Sequence, residues 1–126
     1  MGSGDGMIQK VYDILKQLNV PIRYILRPDI SGSNKIGISY HFFNESYNLY
    51  GDGKGKEPGG VLQVDIFSTV DYSAIVQQIQ ELLEENNFRL ADKRDSEDSF
   101  EEGGLKYYQK ILIFNYVERG VRVNGI

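Results

Sequence analysis

The sequence predicts one α+β domain, a mainly antiparallel sheet of about five strands with two amphipathic helices on one face. Three observations carry this expectation. Apolar residues recur at helical spacing over 7–19 and again over 72–83. Segments 36–42, 61–68 and 105–117 are rich in β-branched and aromatic residues, and the first two place most of their apolar side chains at alternate positions. A chain of 126 residues can also bury roughly two thirds of the surface its unfolded form exposes, so one core forms without disulfides or metal.

The first six residues, Met1-Gly2-Ser3-Gly4-Asp5-Gly6, precede a second Met and have the composition of a cloning scar. The domain is therefore expected over 7–120, with 121–126 as a C-terminal tail. From Met7 to Asn19, the residues Ile8, Val11, Tyr12, Leu15 and Leu18 share a helix face, Lys10, Asp13, Lys16 and Gln17 lie largely opposite, and Pro21 ends the segment. Ile22 to Leu26 reads as a short strand closed by Pro28, and Asp29 to Asn34 as a turn-rich connection. A strand is expected over Lys35 to Tyr47, with Ile36, Ile38, Tyr40 and Phe42 on its apolar face.

Tyr50 to Gly60 holds five glycines and predicts a loop, after which Val61 to Ser68 returns as a strand with Leu62, Val64 and Ile66 on one face. Tyr72, Ile75, Val76, Ile79, Leu82 and Leu83 mark the second helix, with Thr69 or Asp71 placed to cap its start and Asn86-Asn87 at its end. Phe88 to Leu90 begins another strand, Ala91 to Gly104 reads as an acidic loop, and Leu105 to Val117 is a long final strand. That strand carries Ile111, Ile113 and Val117 on one face and Tyr108, Leu112, Phe114 and Tyr116 on the other, so both faces want cover. Two helices cover one face; loops or another subunit must shield the second.

Charge narrows the function classes. With Asp5 set aside, 17 acids face 14 bases, and Ala91 to Gly104 alone holds six acids, Asp92, Asp95, Glu97, Asp98, Glu101 and Glu102, beside only Lys93 and Arg94. The remainder is nearly neutral and has no basic stripe of the kind that binds nucleic acid. The longest apolar run, Ile111 to Phe114, is far short of the roughly 20 residues of a membrane span, and no N-terminal segment reads as a secretion signal. A chain without Cys agrees with a reducing compartment without requiring one.

The chemistry-bearing motifs fail one by one. In Gly51-Asp52-Gly53-Lys54-Gly55-Lys56-Glu57 the glycines could free backbone amides for an anion, yet Glu57-Pro58 follows Gly55-Lys56 and Tyr50 stands where a Walker loop needs its first Gly. Lys56 likewise occupies the third Gly position of a dinucleotide fingerprint. His41 is the single histidine, which excludes zinc sites built on Cys and His pairs. On the expected pairing, His41 and Asp65 share the less apolar sheet face within reach of a hydrogen bond, and Ser39 or Ser68 would complete a triad, though no nucleophile elbow accompanies them. Glu81, Glu84 and Glu85 read as the solvated side of the second helix, and the acidic segment lacks the ligand spacing of a calcium loop. Tyr40, Tyr47, Tyr50, Tyr107, Tyr108 and Tyr116 sit on strands or strand ends without clustered bases, which favours a protein interface over a nucleic-acid platform.

The ordered set is a helix, a short strand ending in Arg27-Pro28, an aromatic strand, Tyr50-Gly51-Asp52-Gly53, the strand Leu62-Gln63-Val64-Asp65-Ile66-Phe67-Ser68, a helix with Leu82-Leu83, Asn87-Phe88-Arg89, an acidic segment and the Tyr-rich strand 107–116. Over most of Met7 to Glu118 this resembles the tail-completion, or tail-terminator, proteins of long-tailed bacteriophages and prophages. The resemblance implies a non-enzymatic structural protein that caps the finished tail tube as a hexameric ring and contributes to the head–tail joint, with no cofactor, metal or membrane. It further implies tail tube and head connector proteins as partners, DNA passing through the ring without sequence-specific binding, and a place in the bacterial cytoplasm during assembly and then at the head-proximal end of the virion tail. The expected subunit or partner interface comprises Tyr47, Leu49, Tyr50, Asp52, Tyr108, Leu112, Phe114 and Tyr116. The alternatives are a head-closure or other minor tail protein, and a small ligand-binding module or enzyme using the His41/Asp65 face.

Overall fold

A computed structural model describes residues 3–30, 35–43, 59–96, 100–102 and 105–117. The chain forms α1 (Ser3–Leu15) with a 3-10 turn (Lys16–Leu18), β1 (Ile22–Tyr24), β2 (Ile36–Phe43), β3 (Gly59–Ser68), α2 (Ser73–Glu85), β4 (Arg89–Asp95), β5 (Phe100–Glu102) and β6 (Leu105–Val117). The sheet runs β1-β2-β3-β6-β4, and β5 pairs with β6 beside this path. Among the described residues only the β1–β2 pairing is parallel, so the architecture is the α+β domain with a mainly antiparallel sheet that the sequence predicts.

Both helices pack on one sheet face. The alternation of β3 settles which: Leu62, Val64 and Ile66 are fully buried, and the register pairs Leu62 with Phe114 and Val64 with Leu112. Residues directly opposite on neighbouring strands share a face, so β6 presents Leu112, Phe114 and Tyr116 to the same core, joined there by Ile38 and Tyr40 from β2. From the helices come Val11 and Leu15, and Ile79 and Leu83. The Tyr40 hydroxyl, carried into this core, donates to the Ile8 carbonyl at 2.7 Å.

The apolar stripe of α1 is rotated from the expected one. It runs through Met7, Val11, Ile14 and Leu15, whereas Tyr12 remains 40% exposed. Ile14 lies on the far side of Val11 from Tyr12, and including it turns the stripe away from the phenol. The helix also begins at Ser3 rather than Met7, taking in residues set aside as a scar.

The second helix follows its signals closely. Asp71, the second of the two expected caps, accepts from the Ser73 backbone N–H at 3.0 Å and from its hydroxyl at 2.7 Å. At the other end Asn87 takes φ 72°, its N–H donates to the Glu84 carbonyl, and Phe88 N–H donates to the Leu83 carbonyl. This is a Schellman closure, whose usual apolar contact is supplied by buried Phe88 and Leu83.

Two departures affect the surface. The segment Ala91 to Gly104 is not one loop: β4 extends to Asp95 and β5 covers 100–102, because the long β6 strand offers backbone partners to both. Charged residues on β4 suit an edge strand, where they discourage pairing with other chains. At the opposite edge, β1 ends after Tyr24, and Ile25 adopts φ 73° while its N–H donates to the Tyr40 carbonyl at 2.8 Å. A left-handed β-branched residue costs on the order of 1 to 3 kcal/mol. The conformation turns the chain off the sheet edge, so that Pro28 and Ile30 come to rest over Gly37, where an added Cβ would lie only 2.6 Å from Ile30 Cγ2 and 2.7 Å from Pro28 Cβ.

Candidate functional site

The sheet face turned away from the helices carries Ser39 and His41 of β2, Gln63 and Asp65 of β3, and Gln109, Ile111 and Ile113 of β6. At one end Pro28 and Ile30 lie over Gly37, whose register partner Phe67 is 7% exposed. Beyond that end Ile111 and Ile113 are half-buried, and the face ends in Phe43, 36% exposed, and Val117, 46% exposed.

His41 and Asp65 share this face as expected, but not as a facing pair. The register sets His41 opposite Gln63 and Ser39 opposite Asp65, leaving His41 on the diagonal, a step of about 7 to 8 Å between backbones. Asp65 takes its hydrogen bond from Gln63 Nε2 at 2.9 Å. Burial pushes its carboxyl above the usual range, while Gln63, the nearby His41 charge and Gln109 act in the opposite direction. A triad needs the imidazole between carboxylate and hydroxyl; here Ser39 faces Asp65 directly, and His41 stands to one side. Ser68 lies on the helix-covered face, where its hydroxyl donates to the Val70 carbonyl at 2.6 Å. Glu81, Glu84 and Glu85 are exposed on α2, as a solvated helix side requires. Among the described residues, no three His, Cys, Asp or Glu side chains are grouped to hold a metal ion.

The expected interface is corrected in part. Leu112 and Phe114 are fully buried and Tyr116 is 8% exposed, all in the core beneath the helices. They are occupied by their own chain. Of the β6 residues assigned to the interface only Tyr108 remains at the surface, 44% exposed. Tyr47, Leu49, Tyr50 and Asp52 lie outside the described residues. The β6 side chains that face away from the helices are instead Ile111, Ile113 and Val117.

Tyr108 borders a feature that sequence reasoning missed, an open groove of about 510 Å3 where β3 leads into α2. Val70, Asp71 and Tyr72 form one wall, and Asp95 and Tyr108 the other. The Tyr72 hydroxyl donates to Asp95 Oδ1 at 3.4 Å, and Lys110 Nζ pairs with the same oxygen at 2.9 Å. The Lys110 bond holds Asp95 below the usual carboxylate range, whereas burial, with the Asp95 charge beside it, raises the Tyr72 phenol. Lys106 Nζ stands 5.5 Å from the Tyr108 ring centroid, a cation–π distance. The groove joins residues from three distant stretches of sequence, and only the β3–β6 register brings Ser68 opposite Tyr108 and so reveals it. Compared with known proteins, the chain matches no family model and no curated sequence.

Proposed function

We propose that this chain is a structural subunit that assembles into a ring and caps a phage or prophage tail tube at the joint with the head. The observation that carries the reading is the end of the second sheet face away from Pro28 and Ile30: Ile111 and Ile113 are half-buried, Phe43 and Val117 are exposed, and no helix packs there among the described residues. At roughly 25 cal/mol per Å2 of apolar area, covering three or four such side chains recovers a few kcal/mol for an assembly. The order of elements, closing in a long strand that is apolar on both sides, supports the resemblance to tail-completion proteins. The ring number of six comes from that resemblance, as do the tail tube and head connector partners, the passage of DNA through the lumen and the place in the virion.

The test is tail-tube growth in vitro with the chain added. Growth is expected to stop, with ring-shaped density at one tube end in electron micrographs. Tubes that elongate unchanged and carry no bound chain would refute the reading, and binding to head connectors alone would favour a head-closure role. The competing ligand-binding or enzymatic reading draws on the partly buried Asp65 carboxyl beside Gln63 and His41. His41→Gln separates the two, since capping should survive it and chemistry on that face should not.

A further inference from the structure

We infer that assembly through the sheet face turned away from the helices is gated by pH, with His41 as the group that must be neutral when a partner covers it. The inference rests on the capping reading and adds a condition under which that face closes. Its ground is position. The register sets His41 opposite Gln63, and Gln63 opposite Ile113, in one row across β2, β3 and β6. At a strand spacing of about 4.8 Å, His41 and Ile113 are roughly 10 Å apart with Gln63 between them. The imidazole is half-buried and leans on the Phe43 ring, 5.6 Å between centroids, so a partner that covers the one ring covers the other. A contact spanning Phe43 and Ile111 crosses Gln63 and takes His41 out of water with it.

Charge sets the sign. Burying an ionised side chain is costly unless a counter-charge meets it directly, whereas a neutral imidazole needs only hydrogen-bond partners. The described face gives His41 no such direct partner. Asp65 of β3 stands on the diagonal, and its carboxylate already accepts from Gln63 at 2.9 Å and from Gln109. An ion pair repays its own desolvation only in close geometry, which a step of about 7 to 8 Å does not provide. From β1 comes Arg23, opposite Ser39, a like charge. The β6 side chains on this face, Gln109, Ile111, Ile113 and Asn115, are uncharged. At the far edge Asp92 and Arg94 of β4 pair with each other at 3.0 Å, beside Arg89. Protonation of His41 therefore favours the free chain, and assembly weakens as pH falls through the range of about 5 to 8 in which histidines change charge. Protonation of Asp65 acts in the opposite direction, because it removes a charge that closure would bury.

Co-sedimentation with purified tail tubes between about pH 7.5 and about pH 5.5, at constant ionic strength, tests this on the wild-type chain and on two neutral replacements, His41→Gln and His41→Asn. Unfolding curves at each pH establish that every sample is folded. The quantity read is each protein's ratio of affinities between the two ends of the range, and the same tubes serve all three, so any change in the tubes themselves is common to them. The wild-type chain should bind at least about fivefold more weakly at the acid end. In the two variants the ratio should be level or reversed, since Asp65 is then the titrating group left on the face. A wild-type ratio near unity, or a fall shared in full by both variants, would overturn the gating and leave the capping reading standing. Tubes that bind neither the wild-type chain nor the variants at any pH would overturn both.

Discussion

The two faces of β6 differ by a one-residue step along the chain and by almost everything else. Leu112 and Phe114 are sealed under both helices, while Ile111 and Ile113, equally apolar, look out on a face whose only cover from the described chain is the Pro28–Ile30 segment at one end. The covered face is continuous across β2, β3 and β6 with apolar side chains; the open one interrupts its isoleucines with Gln63, Asp65, Gln109 and Asn115. The hydrophobicity of the residues in one strand thus does not say which side is core. Their neighbours across the ladder do.

The largest test of this difference is truncation on each face. Phe114→Ala should cost about 3 to 5 kcal/mol and Leu112→Ala about 2 to 5, by lost burial plus the cavity left behind. Ile113→Ala should cost about 1 kcal/mol, the ordinary figure for a partly exposed position. Urea unfolding of the three variants decides it. Equal losses at 113 and 114 would mean that the open face is as firmly packed as the covered one.

Most of the fold was legible for local reasons. The spacing of Ile75, Val76, Ile79 and Leu83 matches the buried face of α2, Asp71 accepts from the Ser73 N–H although Tyr72 and not Asp71 takes the N-cap position, and Asn86-Asn87 closes the helix. The alternation of β3 is equally plain in its burial. What failed depended on pairing between distant strands. No local signal says that Leu112 and Phe114 sit beside Val64 and Leu62, so their assignment to an interface followed from counting helices rather than from register. The short strand β5 did leave a trace: Gly103-Gly104 between Glu102 and Leu105 is a dipeptide that two-residue hairpin connections favour. The six acids of that segment point to a loop. The groove at Tyr108 was illegible because Val70, Asp95 and Tyr108 are neighbours only after the sheet forms.

On the open face the expected effect is on assembly and not on folding. The double substitution Ile111→Ser with Ile113→Ser should lower unfolding free energy by no more than about 2 kcal/mol, yet reduce binding to tail tubes by at least about tenfold if that face meets a partner. Co-sedimentation with tubes measures the second quantity. Unchanged binding would confine the contact to other surfaces and remove the functional distinction between the faces.

Each face also carries one group that burial shifts, and the two lose stability in different pH windows. Tyr40, on the covered face, has its phenol pushed up to about 12, chiefly by desolvation. A phenol raised above its unfolded value of about 10 contributes stability that is full below pH 10 and is lost as pH rises toward 12. Tyr40→Phe should flatten that alkaline decline and, by removing the hydrogen bond to the Ile8 carbonyl, cost about 0.5 to 1.5 kcal/mol at neutral pH. Unfolding curves from pH 8 to pH 11 test both, and a decline of the same slope in the variant would assign it to other tyrosines.

The smallest effect belongs to Asp65. Its carboxyl is raised by burial, so the folded state holds the proton more tightly than the unfolded chain does. Stability from this group is therefore highest below the unfolded value of about 3.9 and falls as pH rises through the folded pKa, opposite in sign to Asp71 and Asp95, whose lowered carboxyls lose their contribution as pH falls. Asp65→Asn keeps an acceptor for Gln63 and removes the buried charge, so the variant should be slightly more stable than the parent at pH 7 and lose that advantage near pH 3. The gain stays small because this half of the sheet is only partly buried and water screens the charge. A variant less stable than the parent at pH 7 would show that the carboxylate is held by partners on the open face and not merely tolerated there, which would return weight to a binding role for His41 and Asp65.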